Sequence, residues 1–497
     1  MKNLSVILIC VAFAAVVFFV LKERKTNEFD DGFSHKFLHP DSLTFDALNR
    51  QIPDGNDFRK NIGDIPFFYE KDGLVALFHF QLSFEAGSLL EYPQSKGVSQ
   101  LYSLSLRNGG SANFTPAQTD SLLALNAVSI SVNNERARTD FIVSGLSKNM
   151  PIALEILEDI LQNPAFDAAR LRLNRANLTQ SVNHRFDNPA SLLAAGWRSL
   201  IYPQTVVSEL LPSDFPQRIT RDDLMQYHNY LMREARMGVA ASGDIDEAVV
   251  RDFVERNFGK ERVANSRRIP EISPATQAKT LIIHRDGLTQ SIIATGLASF
   301  MRPDDRFYPL SVFNEILGGG FNSRLVSRIR SDEGLTYSIH SQIGSNYQFP
   351  ATFNAQVSTQ IEHTNRALRL MHEIIASTVA EELKDGEVNE KTEQFILSLP
   401  SIFRTSEART ATFLRDEFDG RSPTHYIEYV KRMQSITADY VSKNARSFFD
   451  GREFFTVIVT DTSALKNAPL HDGFSVKDQN PVILTVAEFE RKFGRID

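Results

Sequence analysis

The chain has 497 residues, long enough for several domains with large cores, and its 42% hydrophobic and 23% charged residues exclude a disordered, collagen-like or polytopic membrane protein. With 54 Lys and Arg against 61 Asp and Glu, the formal net charge is -7, so no nucleic-acid partner is expected. The one cysteine, Cys10, excludes intrachain disulfides and thiolate metal clusters built by this chain alone.

The first element is apolar. Leu4 to Leu21 carries no charge, and eighteen residues rising 1.5 Å each span about 27 Å, close to the hydrocarbon thickness of a bilayer. Lys2 precedes the run and Lys22, Arg24 and Lys25 follow it, so flanking charge assigns no firm orientation. The expectation is a signal-anchor over residues 1–25 with the body on the extracytoplasmic (periplasmic) side; a cleaved signal peptide is the rival, although no small-x-small site follows the run. Residues 26–61 are polar, with Asp30-Asp31-Gly32 and Pro53-Asp54-Gly55, and read as a tether or an arm across the body.

Two similar halves follow. In residues 62–261, strand-like sequence at 75–80 leads through Gly87-Ser88 to a helical stretch ending at Gly109-Gly110, and 153–161 reads as an amphipathic helix. In residues 280–497, a strand at Ser291–Leu297 precedes a helix around Tyr308–Leu317 that stops at Gly318-Gly319-Gly320, and 367–375 is again amphipathic. The order repeats at an offset of about 214 residues, as an internal duplication predicts. Residues 262–279, with prolines and charges but no apolar periodicity, read as the linker. The fold class is α+β: two duplicated domains, each a mainly antiparallel sheet covered by helices, behind one N-terminal membrane helix.

The order of elements, with GlyGlyGlyPheAsnSerArgLeu at 318–325, ArgSerAspGluGlyLeuThrTyrSer at 330–338 and AspAsnPro at 187–189, resembles the M16 (insulinase/pitrilysin-like) metallopeptidases from about Phe67 to about Asp461. It is similar to the short, two-domain branch that includes mitochondrial processing peptidase and the respiratory-complex core proteins. The resemblance implies a His-x-x-Glu-His motif on the first helix of the first domain, two histidines binding zinc and the glutamate serving as general base. Here those positions fall on Gln100, Ser103 and Leu104, and the third ligand position falls on Ser181. None is a useful zinc ligand or base, so no metal is expected in this chain. Of eleven histidines only His35 and His39 show i,i+4 spacing, in a tether without helical pattern, and no serine or cysteine nucleophile motif replaces the lost site.

What the resemblance leaves intact lies in the second half. Arg330 and Tyr337 match in type and spacing a pair that, in the family, binds substrate backbone and polarises the scissile carbonyl. Helix capping by the arginine and packing by the tyrosine would also account for both. Gly318, Gly319 and Gly320 correspond to a glycine-rich loop that contacts substrate in the processing peptidase's non-catalytic subunit, or simply stop a helix. The chain is thus expected to be a non-catalytic, membrane-anchored subunit that binds peptides and pairs with a zinc-bearing homologue; the alternatives are a peptide-binding or scaffold pseudopeptidase, and an active protease with an unrecognised site.

Overall fold

A computed structural model of the chain describes residues 51–259 and 267–494. The apolar run at Leu4–Leu21, Cys10, His35 and His39 lie outside the described residues, among which no helix is long and apolar enough to cross a membrane.

The first half builds a six-stranded sheet from β1 (Arg59–Ile62), β2 (Ile65–Lys71), β3 (Leu77–Phe84), β4 (Val128–Asn134), β5 (Thr139–Leu146) and β6 (Met237–Gly243), in the order β1-β2-β6-β3-β5-β4. The end of the stretch read as a tether is therefore structured, because β1 forms the sheet's edge against β2. Its helices include α1 (Val98–Ser105), α2 (Pro116–Leu125), α3 (Met150–Gln162), α4 (Ala168–Asn183), α5 (Pro189–Ile201) and α6 (Arg221–Arg233). The second half repeats the plan with β7 (Thr280–His284), β8 (Gln290–Ala298), β9 (Ser338–Ile343), β10 (Thr352–Gln360), β11 (Phe455–Thr460) and β12 (Val482–Thr485), in the order β12-β7-β11-β8-β10-β9. Its helices include α7 (Phe307–Asn314), α8 (Thr364–Ala380), α9 (Asp385–Ser398), α10 (Ser406–Phe418) and α11 (Ala438–Phe449).

Five strands of one sheet therefore map onto five of the other in the same spatial order, and only the outermost strand differs. β1 runs antiparallel to β2, whereas β12 runs parallel to β7. The sheets are mixed rather than simply antiparallel, since β2·β6 and β7·β11 are parallel pairs. This follows from connection length: β6 and β11 return to the sheet only after a long helical excursion, which permits a parallel neighbour.

Each sheet buries both faces, and alternation along one strand separates them. On β2, Phe67 joins the core under the first half's own helices, while Phe68 faces Phe413, Leu414 and Phe403 from the second half. Reciprocally, α5 lays Leu193 and Trp197 against Ile283, Ala294 and Val457 of the second sheet. The halves thus exchange a helix, α5 covering one sheet and α10 the other. Gly196 marks how close α5 comes, since a Cβ there would sit 2.9 Å from Ile283 Cδ1 and 3.0 Å from Val457 Cγ1.

One local reading is refined. The helix expected around Tyr308–Leu317 does end within Gly318-Gly319-Gly320, but it runs as α7 to Asn314 and then widens into a π-type turn over Glu315–Gly319, with Gly320 extended. Gly318 is buried inside it because Ser341 Oγ and Leu325 Cδ1 would lie 2.5 and 2.7 Å from a Cβ, so its role is close packing rather than helix termination. A second π-type turn, Val326–Asp332, stands where the first half has α2.

Candidate functional site

Helix α1 is eight residues long and two-faced. Val98, Leu101 and Tyr102 enter the core, leaving Gln100 and Ser103 half-buried and Leu104 exposed on the outer face, where i, i+3 and i+4 come together. The turn into α1 needs Gly97, whose φ is +84° and whose position leaves no room for a Cβ against the Phe215 ring. Glu91 closes the helix start: its carboxylate accepts from the Gly97 N–H at 2.7 Å, the Ser99 N–H at 2.8 Å and the Ser99 hydroxyl at 2.5 Å. Burial pushes the Glu91 carboxyl up, and these donors pull it back. Below α1, Tyr102 Oη donates to His228 Nδ1 at 2.8 Å while His228 Nε2 donates to the Leu161 carbonyl at 2.9 Å.

Helix α4 packs beside α1, and Asn174 fixes the contact by donating to the Leu104 carbonyl and the Ser105 hydroxyl, both at 3.1 Å. Ser181 is exposed on α4 seven residues further on, nearly two turns along the same face. Gln217 donates to Thr179 at 3.3 Å, close to Phe215 and hence to Gly97, so the α4 end bearing Ser181 lies where α1 begins. The four positions thus lie on two packed helices. Their side chains do not fit zinc: Ser103 Oγ is turned back to the Gln100 carbonyl at 3.0 Å, Leu104 is aliphatic, and no set of three His, Cys, Asp or Glu ligands gathers there among the described residues.

The second-half residues occupy an exposed face. The glycine run ends at Gly320, and the next residue, Phe321, is 72% exposed with the Arg330 guanidinium 5.1 Å over its ring. Around them, Arg324 pairs with Glu387 and Glu381, and Glu333 receives both Arg328 and Arg366. Arg330 takes part in none of these pairs and has no carboxylate partner among the described residues. Tyr337 is 93% exposed, yet its neighbours are fixed: the Thr336 hydroxyl donates to Ser358 and the Thr359 hydroxyl to the Leu335 carbonyl. The backbone is rigid on both sides while the phenol projects into solvent. No hydrogen bond or ion pair among the described residues joins this face to Gln100, Ser103, Leu104 or Ser181.

Between the halves lies a feature that motif spacing did not reveal. A cleft of about 740 Å³ runs past Arg136 and Phe349 and continues into a pocket of about 360 Å³ beside Trp197 and Arg198. Its residues come from several distant segments, chiefly 135–138, 346–349 and 415–419, and none carries a recognisable motif.

Family models match both halves: "Insulinase (Peptidase family M16)" over residues 76–207 and "Peptidase M16 inactive domain" over residues 218–395. Among curated proteins, an uncharacterized zinc protease YmxG of Bacillus subtilis is 22% identical over 377 residues, 73% of this chain and 88% of that protein. A non-peptidase homolog, YmxG of Helicobacter pylori, is 23% identical over 359 residues, 71% and 82% of the two chains. Subunit 1 of the bovine mitochondrial cytochrome b-c1 complex is 25% identical over 189 residues, 37% of this chain and 39% of that one. The crystal structure of a peptidase M16 inactive domain from Pseudomonas fluorescens superposes with a TM-score of 0.70 at 18% identity, covering 80% of this chain and 95% of that one. Matched in both halves by models of one family and sharing its fold, the chain belongs to the M16 peptidases, a group whose members here include zinc proteases, a non-peptidase homologue and a subunit of a larger complex.

Proposed function

We propose that this chain is the non-catalytic subunit of a two-chain M16-type peptidase, binding peptide and supplying Arg330 and Tyr337 to a zinc site carried by a homologous partner. The observation that carries the reading is the contrast between the two sites. Where the family places ligands and base, this chain has a carboxamide, two hydroxyls and an alkyl group. Where the family places its arginine and tyrosine, both residues are present, exposed and free of acidic partners among the described residues. A pinned backbone presenting a phenol and a guanidinium suits binding across a subunit boundary, where each can meet negative charge developing on a scissile carbonyl. Beside them the glycine run brings exposed backbone at Gly319 to the same face, while Gly318 stays packed against Ser341 and Leu325. An N-terminal anchor at Leu4–Leu21 would hold the complex on a membrane, with the body on its extracytoplasmic side.

The second reading, a peptide-binding or scaffold pseudopeptidase without a proteolytic partner, is favoured by the similarity to a non-peptidase homologue. Affinity purification of the tagged full-length chain from native membranes separates the two. Stoichiometric recovery of a homologue bearing His-x-x-Glu-His is expected under the first; recovery of this chain alone supports the second. In the assembled complex, Arg330→Ala or Tyr337→Phe is expected to lower kcat by roughly 10–1,000-fold with assembly intact. Unchanged turnover in both variants removes that role.

A further inference from the structure

The pocket of about 360 Å³ is bounded by α5, by the turn between β4 and β5, and by the face of β9 and β10. Gln342, Asn354 and Gln356 line it with side-chain amides, and Trp197 and Phe349 add aromatic surface. Two arginines face it: Arg198 from α5 and Arg136 from the β4–β5 turn, with no aspartate or glutamate in the lining.

Other arginines of the molecule are neutralised by acids. Arg138, two residues from Arg136, pairs with Glu135 and Asp140; Arg185 pairs with Glu490, and Arg421 with Asp416 and Asp419. Among the described residues, Arg136 and Arg198 form no ion pair and no side-chain hydrogen bond. Burial acts against the Arg198 charge, and the like charge of Arg136 adds to it. A half-buried guanidinium, Arg198, with an exposed one, Arg136, on the rim of the same pocket and no acid in the lining leaves a place for an anion between them.

The surrounding backbone is fixed before any ligand arrives. Residues 344–351 are held from both halves: Tyr202 Oη donates to the Pro350 carbonyl at 2.6 Å, the Arg302 N–H to the Asn346 carbonyl at 2.7 Å and Gln348 Nε2 to Asp419 at 3.0 Å. Trp197 Nε1 donates to Thr352 at 3.3 Å, tying α5 to β10. Such a pocket does not have to order a loop in order to bind. It accommodates a few residues of an extended chain, and the adjoining cleft of about 740 Å³ offers the remainder a way out.

We propose that the Arg136–Arg198 pocket is an anion subsite that takes a carboxylate, the free C-terminal carboxylate of a bound peptide. This deepens the peptide-binding role proposed above and rests on it. The guanidinium forks match a planar carboxylate, and the amides of Gln342, Asn354 and Gln356 suit the adjoining peptide backbone. A free phosphate would satisfy the same charges, so the test separates the two sources.

Fluorescent octapeptides of one uncharged sequence, ending in a free acid or a carboxamide, are titrated into the detergent-solubilised full-length chain and followed by anisotropy. The free acid is expected to bind about tenfold tighter than the amide, and the ratio to fall to about one in Arg136→Gln and in Arg198→Gln. Arg136 sits on an exposed turn, so that variant guards against loss of fold by the other. Equal binding of acid and amide by the wild type overturns the proposal. If neither peptide binds while inorganic phosphate at matched ionic strength raises the Tm of the wild type and not of Arg136→Gln, the pocket is a free-anion site and the peptide reading falls. If neither peptide nor phosphate produces an Arg136-dependent effect, the subsite itself is refuted.

Discussion

His228 shows what a single buried side chain does to the whole chain's acid tolerance. It is held neutral between Tyr102 and Leu161, and burial pulls its pKa down to about 4. His372, hydrogen-bonded to Thr295 and stacked on Phe454, and His425 are likewise lowered to about 4 by burial. Below their unfolded value of 6.5 the unfolded chain takes up protons that the native chain refuses, so stability is complete above about pH 6.5 and falls as pH drops towards 4. For His228 alone the loss approaches about 3 kcal/mol. Urea midpoints are therefore expected to fall between pH 7.5 and pH 5, and His228→Gln to be less stable at pH 7.5 yet flatter with pH. A midpoint that does not move over that range contradicts the assignment. At the same scale, Gln100, Ser103, Leu104 and Ser181 were found through the family resemblance, and the helical period explains why the first three share one face of α1. Arg136 and Arg198 were not, since their meaning depends on which acids lie nearby, and only the fold decides that.

Among elements, the exchanged helices matter most. Gly196 lets α5 approach the second sheet, and Gly238 does the same for α10, where a Cβ would lie 2.6 Å from Leu414 Cδ1. Gly196→Val is expected to cost about 1–3 kcal/mol by overpacking, and Val457→Ala to recover part of that loss in the double variant. Strictly additive losses would show that the two do not touch. The paired helices α1 and α4 make a second prediction. Gln100→His, Ser103→Glu, Leu104→His and Ser181→Glu introduced together are expected to bind about one zinc per chain, read by metal analysis after dialysis; no retention would show that the two faces are out of register. Most elements in the repeat were visible in the sequence because each carries its own periodicity, as at Ser291–Leu297, observed as Gln290–Ala298. The widening of that helix into a π-type turn was not, nor the packing role of Gly318, which only the approach of Ser341 and Leu325 reveals.

At the scale of the molecule, duplication was readable as an offset between similar segments, and the sheets bear it out strand for strand through β2-β6-β3-β5-β4 and β7-β11-β8-β10-β9. The parallel pairs and the helix exchange were not readable, because strand order within a sheet leaves no periodic trace in the chain. That exchange also sets a timetable for synthesis. The first sheet is complete in sequence at Gly243, but the helix that covers Phe68 and Ala240 begins only at Ser406, about 160 residues later. At ribosomal speeds of roughly 5–20 residues per second, that face stays open for on the order of ten to thirty seconds. A chain ending near residue 400 is expected to partition with chaperones or into aggregates, and supplying residues 400–497 as a separate fragment to return part of it to solution. The nascent protein is thus expected to need a holdase for as long as its own second half is still being made.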